Sequence, residues 1–452
     1  MSIFTLRPIS VFSNGSQRDR LAPVRHVGAS ADYSSLRRTR RHLRIFRDVF
    51  YGQQELARER SRNYKSGRVR HGKTHHSKHH SPSKTPSKLQ PFHKSNNTVQ
   101  QPGMIAKPTA TMMRAVQLKA AGPASNLRVV DLPIPVPKED QVLIRVKSFG
   151  INRSEILTRQ FGRAPVGPVQ LPRVLGVEAT GLVEAAPGHE QAFPKGAIAM
   201  TAVGGMGLVF DGGYAQYVCV SKDNVLLVDQ SAAKLGWDVL GALPEMLQTA
   251  HGSLFRCLKL KAGDTLLIRG GTTSVGLAAA AIAKDSGARV IATTRRSDSE
   301  TKRILLENGA DEVIVDDGKA LRERVLRIHP SGVDKVLDLV GGSSLPDSLS
   351  CLADEGVCCF TGLVGGSAAV ADFNPLAMIQ TGKYLTAYGE RFFNASNFPL
   401  NDLVGRMVEG TLKIRLGKVF HMNDIAEAHE YVERNESIGK VVVMTGMGLV
   451  FV

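Results

Sequence analysis

The feature that most restricts the fold is a regular alternation of apolar and helix-like segments in the second half of the chain. Short apolar segments start 22 to 24 residues apart, at residues 265–269, 289–293, 312–315, 335–340 and 357–361. Helix-like segments lie between them, at residues 275–286, 300–308 and 321–329. Strands that alternate with helices at this spacing are typical of βαβ units with a parallel sheet. We therefore predict a doubly wound α/β domain over residues 236–385.

The segment before this domain has a different pattern. Residues 112–235 hold short runs of alternating apolar residues, such as 141–147 (QVLIRVK) and 215–220 (AQYVCV), with glycine and proline between them. This alternation indicates the strands of an antiparallel, β-rich lobe. After the α/β domain, residues 386–452 contain helical segments and a final strand at 440–445. No stretch approaches about 18 consecutive apolar residues, so we expect no transmembrane helix.

The net charge of +17 resides in an N-terminal extension. Residues 1–110 hold 22 basic and 5 acidic residues, whereas the rest of the chain holds 36 of each. Residues 58–94 are rich in Lys, Arg, His, Ser and Pro and poor in large apolar residues, so burial cannot offset the entropy of ordering. We predict that residues 1–111 are a disordered basic extension. The alternatives are a targeting or nucleic-acid-binding segment, or a metal-binding tract at His75, His76, His79 and His80.

Two features of the sequence bear on the cellular compartment of the protein. Residues 1–30 contain Arg, Ser and a single acid, Asp19, which resembles a mitochondrial presequence. The five cysteines form no C-x-x-C pair, and their odd number argues against a disulfide framework. Cys358 and Cys359 lie in a predicted strand and would point to opposite faces, into the core. We expect a cytoplasmic protein, or a mitochondrial one if residues 1–30 act as a presequence.

The junction between the first strand and helix of the α/β domain is rich in glycine. Its sequence is LLIRGGTTSVGLAAA over residues 266–280. Glycine permits the tight turn and a close approach to a pyrophosphate, and the following helix N-terminus attracts anions. Thr273 occupies the central glycine position of the usual motif, and a turn without a ligand is the alternative. We predict a dinucleotide site formed by Gly270, Gly271, Thr273, Ser274, Val275 and Gly276.

The residues at the end of the next strand indicate which of the two nicotinamide cofactors the chain binds. In NAD-binding domains an acidic residue at this place binds the ribose 2′-hydroxyl. This chain has Thr294, Arg295 and Arg296 there, and Lys302 follows in the next helix. Guanidinium groups suit a 2′-phosphate, because they form bidentate hydrogen bonds with phosphate oxygens. The sequence therefore favours NADPH over NADH, unless the arginines belong to a solvated loop.

Several segments together resemble the quinone-reductase branch of the medium-chain dehydrogenase/reductase superfamily. They are 149–155 (FGINRSE), 176–181 (GVEATG), 211–216 (DGGYAQ), 243–250 (LPEMLQTA), 258–271, 338–342 (DLVGG), 420–429 and 439–443. The resemblance covers nearly all of residues 113–446. It implies a GroES-like catalytic domain over 112–235 that resumes at 386–452, a Rossmann domain over 236–385, and a cofactor between them. It also implies a homodimer.

The resemblance includes two informative departures from the zinc alcohol dehydrogenases of the superfamily. Asn152 replaces their cysteine ligand, Val177 replaces their histidine ligand, and the segment with four zinc-binding cysteines is missing. Neither replacement is a good Zn²⁺ ligand, so we expect no metal. Without a metal to polarise a carbonyl, the substrate must delocalise the charge itself. Quinones and α,β-unsaturated carbonyl compounds do so.

The resemblance also supplies candidate site residues. Asn152 is expected to face the nicotinamide or the substrate oxygen, although a buried structural asparagine is the alternative. Thr249 is expected beside the nicotinamide, and Tyr214 as a hydrogen-bond donor, although it also suits a packed aromatic between lobes. Cofactor contacts are expected from Gly362, Leu363, Val364 and Lys440. Glu155 is an ion-pair partner or a proton relay.

These observations define the hypothesis that the chain transfers hydride from NADPH to a quinone or an α,β-unsaturated carbonyl compound. One alternative is an enoyl or alkenal reductase of secondary metabolism. Another is a nucleotide- or RNA-binding protein, in which the basic extension contacts phosphates. We expect no membrane partner, and a nucleic-acid partner only through that extension.

Overall fold

The computed structural model describes residues 111–164, 167–393 and 398–446. The predictions made for residues 1–110, including disorder, the presequence and the histidine tract, lie outside the described residues. Within the described part of the chain, no helix is long and apolar enough to cross a membrane.

The described residues form eighteen strands and nine α-helices. The strands are β1 (Met112–Leu118), β2 (Leu127–Pro133), β3 (Gln141–Gly150), β4 (Arg163–Ala164), β5 (Gly167–Pro168), β6 (Arg173–Val174), β7 (Glu178–Ala185), β8 (Ile198–Ala202), β9 (Tyr217–Ser221), β10 (Leu226–Val228), β11 (Thr265–Arg269), β12 (Arg289–Thr294), β13 (Glu312–Val315), β14 (Val333–Asp338), β15 (Leu352–Phe360), β16 (Tyr384–Ala387), β17 (Leu416–His421) and β18 (Lys440–Met444). The helices are α1 (Arg153–Phe161), α2 (Trp237–His251), α3 (Ser274–Asp285), α4 (Ser299–Glu307), α5 (Leu321–Ile328), α6 (Leu345–Ser350), α7 (Pro375–Met378), α8 (Leu400–Val408) and α9 (Ile425–Glu433).

The second half of the chain forms a six-stranded sheet in the order β13-β12-β11-β14-β15-β16. Every neighbouring pair in it is parallel, which confirms the predicted doubly wound α/β fold. The sixth strand, β16, was not predicted. It crosses the boundary placed between residues 385 and 386, so the parallel sheet extends to Ala387.

The first half forms a second sheet in the order β10-β8-β7-β3-β18-β17, and β9 also pairs with β3. Strands β3, β7, β8, β9 and β10 pair antiparallel with their neighbours. The last strand, β18, returns to this sheet and pairs antiparallel with β3. The C-terminal segment thus completes the sheet of the β-rich lobe, and it carries Lys440 to that lobe.

Helix α2 joins the two halves. It packs against β3, β7 and β18 on one side and against α3 on the other. One apolar cluster therefore contains Met200 and Val442 from the first sheet together with Leu266 and Ala292 from the second. Since both halves share this core, α2 fixes the position of one half relative to the other.

Candidate active site

The glycine-rich turn after β11 has the geometry of a phosphate cradle. Gly270 has a φ of +84°, a conformation that L side chains rarely adopt. A Cβ atom on Gly276 would lie 2.5 Å from the Gly270 carbonyl oxygen, so glycine is required for the close approach of α3 to the turn. The first N–H groups of α3, at Ser274 and Val275, have no acceptor within their own helix. A pyrophosphate fits this arrangement.

Thr273 explains why the central glycine of the usual motif is dispensable. Its Oγ1 accepts a hydrogen bond from the Gly276 N–H at 3.0 Å and donates one to the Gly270 carbonyl oxygen at 2.8 Å. A threonine at the N-cap stabilises a helix start by satisfying one of these N–H groups. Thr273 therefore holds the turn together through its side chain.

The two arginines after β12 have different surroundings. Arg295 is exposed and makes no ion pair with any described residue, and Lys302 is exposed on α4. Arg296 donates hydrogen bonds to the carbonyl oxygens of Asn435 and Glu436, both at 2.9 Å. Arg296 thus also holds the segment that precedes β18, and its contact with a phosphate stays a prediction.

A third guanidinium group comes from the other half of the molecule. Arg153, the first residue of α1, donates a hydrogen bond to Asn435 Oδ1 at 2.5 Å. Burial lowers the pKa of Arg153, the Glu433 carboxylate opposes this, and the nearby charge of Arg295 lowers it further. Sequence analysis did not select Arg153, because its proximity to Arg295 depends on the packing of distant segments.

The most concentrated charge in the cleft is a buried ion cluster around Lys440. The Lys440 Nζ lies 2.6 Å from Glu178 Oε1 and donates a hydrogen bond to Asn152 Oδ1. Asn152 Nδ2 donates to the same Glu178 oxygen at 2.8 Å. The side chains of Lys440 and Glu178 are 1% and 0% exposed. Lys440, predicted to contact the cofactor, is thus enclosed by polar groups of the protein.

Asn152 was expected to face the nicotinamide or the substrate oxygen. Both ends of its carboxamide are used within the ion cluster, and its backbone N–H donates to Glu155 Oε2 at 2.7 Å. The half-buried Asn152 thus satisfies its neighbours, as the alternative expected, and its contact with the nicotinamide stays a prediction. The reason is the return of β18, which places Lys440 beside it.

Glu245 and Thr249 form the part of the site that reaches solvent. Glu245 Oε2 lies 3.6 Å from Lys440 Nζ, and the Thr249 hydroxyl donates to Glu245 Oε1 at 2.9 Å. One turn further along, Ser253 Oγ lies 3.0 Å from Thr361 Oγ1, at the carboxyl end of the parallel sheet. Glu245 was missed by sequence analysis, although a carboxylate within the apolar segment LGALPEMLQTA is a recognisable signal.

The turn after β15 lies at the same edge of the parallel sheet. The Gly362 N–H donates to the Asp338 carbonyl oxygen at 3.1 Å, and the Val364 N–H donates to the Leu339 carbonyl oxygen at 3.3 Å. A Cβ atom on Gly362 would lie 2.1 Å from that Leu339 oxygen. Gly362, Leu363 and Val364 are thus held next to Thr361, at the mouth of the cleft.

Tyr214 does not line the cleft. Its ring is 0% exposed and stacks on Phe149 with 4.5 Å between the ring centroids. Its hydroxyl lies 3.1 Å from His429 Nε2, and burial lowers the pKa of His429 to about 3. Because Tyr214 is enclosed by the core of the β-rich lobe, its inclusion among the candidate catalytic residues was wrong.

Zinc does not fit this cluster. At the two positions where zinc alcohol dehydrogenases have ligands, Asn152 is bonded to Glu178 and Lys440, and Val177 is an aliphatic residue in the core. The Lys440 ammonium lies between the carboxylates of Glu178 and Glu245, and a divalent cation beside it would be repelled. We therefore derive no step through a metal.

Burial of Glu155 has a measurable consequence for stability. Burial raises the pKa of Glu155 from 4.5 to about 7, and its hydrogen bonds from the Val177 and Asn152 N–H groups only partly oppose this. The folded protein thus binds a proton more tightly than the unfolded chain. The contribution of this bound proton to the free energy of unfolding is fully present below pH 4.5 and is lost as pH rises through 7.

We expect this loss to be about 3 kcal/mol of unfolding free energy between pH 4.5 and 8. Urea unfolding of the wild type and of Glu155→Gln at several pH values measures it. The variant should show a smaller decline, because glutamine does not ionise. The exposed residue Glu139 offers the control Glu139→Gln, which should keep the wild-type dependence. Equal slopes for Glu155→Gln and the wild type would contradict the assignment.

Comparisons with known proteins agree with this geometry. The family model for the alcohol dehydrogenase GroES-like domain matches residues 138–230, and that for the zinc-binding dehydrogenase matches residues 308–443. The chain is 28% identical over 342 residues to a quinone oxidoreductase of Homo sapiens, an alignment that covers 74% of this chain and 98% of the relative. A quinone oxidoreductase of Sus scrofa is 27% identical over 340 residues, with the same coverage.

Two solved structures are also similar to this chain. A mycobacterial protein complexed with NADPH superimposes with a TM-score of 0.65 at 26% identity, and covers 74% of this chain and 100% of its own. The quinone oxidoreductase from Coxiella burnetii gives a TM-score of 0.64 at 26% identity, with the same coverage.

Proposed function

The chain belongs to the medium-chain dehydrogenase/reductase superfamily and is an oxidoreductase, and we propose that it uses NADPH to reduce quinones or α,β-unsaturated carbonyl compounds without zinc. The observation that carries the proposal is the cationic end of β12 beside the phosphate cradle. Arg295 is exposed there, and no acidic residue stands in its place. The ribose end of the cofactor site therefore suits a 2′-phosphate.

The cofactor, when bound, supplies a hydride. The residues of the chain bind and orient it. The turn from Gly270 to Gly276 offers N–H groups to the pyrophosphate, and Arg295 offers its guanidinium group to the 2′-phosphate. Gly362, Leu363 and Val364 provide backbone groups at the opposite side of the cleft, next to Thr361.

The choice of substrate class follows from the ion cluster. Lys440 stands where a metal would otherwise activate the substrate, but its Nζ is buried and bonded to Glu178 and Asn152. Because Lys440 is bound in this way, its ammonium group does not polarise a simple carbonyl directly, and the substrate itself must accept the charge. A quinone or an enone delocalises that charge over its conjugated system, and this supports both as substrates over simple aldehydes and ketones.

The test is the binding of NADPH and NADH to the full-length chain, followed by nicotinamide fluorescence. We expect NADPH to bind more tightly, and Arg295→Ala to weaken it by about 10- to 150-fold, since a hydrogen bond to a charged group contributes about 1.5–3 kcal/mol. Binding of NADH should not change. The control is Arg303→Ala on α4, whose exposed guanidinium pairs with Glu300 and Glu307.

Two results would contradict the cofactor assignment: equal affinities for both nucleotides in the wild type, or no effect of Arg295→Ala. Turnover is then measured as NADPH oxidation with a panel of quinones and enones. A wild-type chain that binds NADPH but oxidises it with none of them would refute the substrate class alone.

A further inference from the structure

We propose that Lys440, Glu245 and Thr249 form the path along which a proton reaches the reduced substrate. The inference rests on the proposed function, because it assigns the proton donor of that reaction. Its basis is a chain of polar groups that begins at a fully buried ammonium group and ends at a hydroxyl in the cleft.

The exposure pattern of α2 locates the end of this path. From residue 241 to residue 250 every side chain is buried except Glu245 and Thr249. These two residues are four positions apart, so they lie on the same face of the helix. The next residue on this face, Ser253, contacts Thr361 at the carboxyl end of the parallel sheet. Between residues 241 and 250 the helix thus reaches solvent only at Glu245 and Thr249.

The start of the path is Lys440. Its Nζ is hydrogen-bonded to Asn152 Oδ1 and lies 2.6 Å from Glu178 Oε1, and it forms an ion pair with Glu245 Oε2 at 3.6 Å, a separation that must shorten before a proton can pass. Glu178 is 0% exposed and Asn152 is bonded within the cluster, whereas the Glu245 side chain is 20% exposed. Glu245 is therefore the acceptor through which a proton on Lys440 reaches the cleft.

Titratable groups face Lys440 from every element packed against it. Glu155 on α1, Glu178 on β7 and Glu245 on α2 face it, and Tyr388 lies close to Glu245. Burial lowers the pKa of Lys440, but the charges of Glu178 and Glu245 outweigh burial and raise it. Lys440 is consequently an ammonium group before the reaction and has a proton to give.

A purely structural role leaves Glu245 unexplained. Glu178 by itself neutralises Lys440, so a second carboxylate beside the pair adds a desolvation cost without being needed for charge balance. An apolar side chain would suit this otherwise buried stretch of α2 better. Charged groups retained at such a cost in a cleft are candidates for a role in the reaction.

Bonds, electrons and protons balance when the substrate is reduced along this path. Hydride addition breaks a π bond of the substrate, forms one C–H or O–H bond and leaves an electron pair on the substrate oxygen, while the dihydronicotinamide is oxidised. The Thr249 hydroxyl gives its proton to that oxygen and receives one from Glu245. Glu245 receives its proton from Lys440 at Oε2, and a half-turn of the carboxyl group presents it to Thr249. Solvent returns one proton to Lys440 through Glu245 after product release.

The acidities are compatible with this transfer. A lysine ammonium has an ordinary pKa of about 10.4, and a phenol such as that of tyrosine has one of about 10. Because the pKa of Lys440 is raised above its ordinary value, transfer from Lys440 is uphill to the anion of an acidic hydroquinone and comes closest to balance for a strongly basic one. Transfer to the more basic enolate of a reduced ketone is favourable.

The experiment compares two quinones of nearly equal shape, tetramethyl-1,4-benzoquinone and tetrachloro-1,4-benzoquinone, with the full-length chain at saturating NADPH. The reduced tetramethyl compound is a much stronger base, so only its reduction should need the proton path. We expect Glu245→Gln and Thr249→Val to lower kcat for the tetramethyl quinone by about 10²–10³-fold, as for the loss of general acid catalysis. The loss of kcat for the tetrachloro quinone should be much smaller, because its reduced form is a weak base.

Two variants serve as controls. Thr249→Ser retains the hydroxyl and should retain turnover of both quinones. Glu184→Gln changes a carboxylate on β7 that pairs with Arg145 and Lys195 at the surface, and it should have no effect. If Glu245→Gln does not fold, the comparison of Thr249→Val with Thr249→Ser tests the proton path, because only the serine variant retains the hydroxyl.

The outcomes are distinct. Equal loss of kcat for both quinones would show that Glu245 and Thr249 position the cofactor or the fold, and would overturn the proton path. No loss for either quinone would overturn it as well. A wild-type chain that reduces neither these quinones nor an enone would refute the proposed function, and the proton path with it.

Discussion

Replacing Lys440 by methionine is expected to lower the free energy of unfolding by about 3–5 kcal/mol, the usual result of removing one partner of a buried ion pair. The physical reason is that Glu178 would remain buried without a counter-ion, close to Glu155 and Glu245. Methionine preserves much of the lysine volume, so the loss would report on charge more than on packing. Urea unfolding at pH 7 measures it.

The double variant Lys440→Met with Glu178→Gln tests this explanation. It leaves no uncompensated charge between these two residues, so it should recover most of the stability lost by Lys440→Met alone. The variant Glu178→Gln alone serves as the matched single change. A double variant that is no more stable than Lys440→Met would mean that the loss comes from packing, and the ion pair would not be the cause.

Replacing Gly276 by alanine is expected to weaken NADPH binding by about 10- to 100-fold, equivalent to about 1.4–2.7 kcal/mol. A Cβ atom at this position would lie 2.5 Å from the Gly270 carbonyl oxygen and 2.9 Å from Thr273 Oγ1. The turn and the start of α3 would have to move apart, which displaces the N–H groups that face the pyrophosphate. Overpacking of this kind also costs about 1–3 kcal/mol of stability.

A second helical glycine provides the control. Gly405 lies in α8, and a Cβ atom there would have no atom within 4 Å. Gly405→Ala should therefore raise stability by about 0.4–1 kcal/mol, because alanine reduces the entropy of the unfolded chain, and should not change NADPH binding. Fluorescence titration and thermal unfolding of both variants distinguish the two sites. Unchanged NADPH affinity in Gly276→Ala would contradict the assignment of the cradle.

The α/β architecture was predictable because it depends on local patterns. Each of the five predicted strands is an apolar run, and the three predicted helices between them start within one residue of their predicted positions, whereas α6 between β14 and β15 was not predicted. Cys358 and Cys359 illustrate the same point, since adjacent residues of a strand face opposite sides. In the structure they belong to separate apolar clusters on the two faces of the sheet. The strand β16 was missed because its short sequence, YLTA, has little distinguishing pattern.

The candidate site was only partly predictable. The cradle from Gly270 to Gly276 is continuous in sequence, so its composition alone indicates its geometry. Arg295 and Arg296 are adjacent and looked equivalent, yet one is exposed and the other binds carbonyl groups of the segment before β18. Tyr214 and Asn152 carried a resemblance to site residues, but whether a side chain faces a cleft or a core depends on which distant segments cover it.

The sequence by itself therefore determined the alternation of strands and helices in the α/β domain, the glycine-rich turn after β11 and the arginines in place of an acidic residue after β12, because each of these depends on residues close together in the chain. The tertiary structure alone decided the ion cluster. Asn152, Glu178, Glu245 and Lys440 come from four separate segments, and their charges interact only after β18 has returned to β3 and α2 has packed against both. Electrostatic interaction depends on distance in space and on burial, and neither is written in the spacing of residues along the chain.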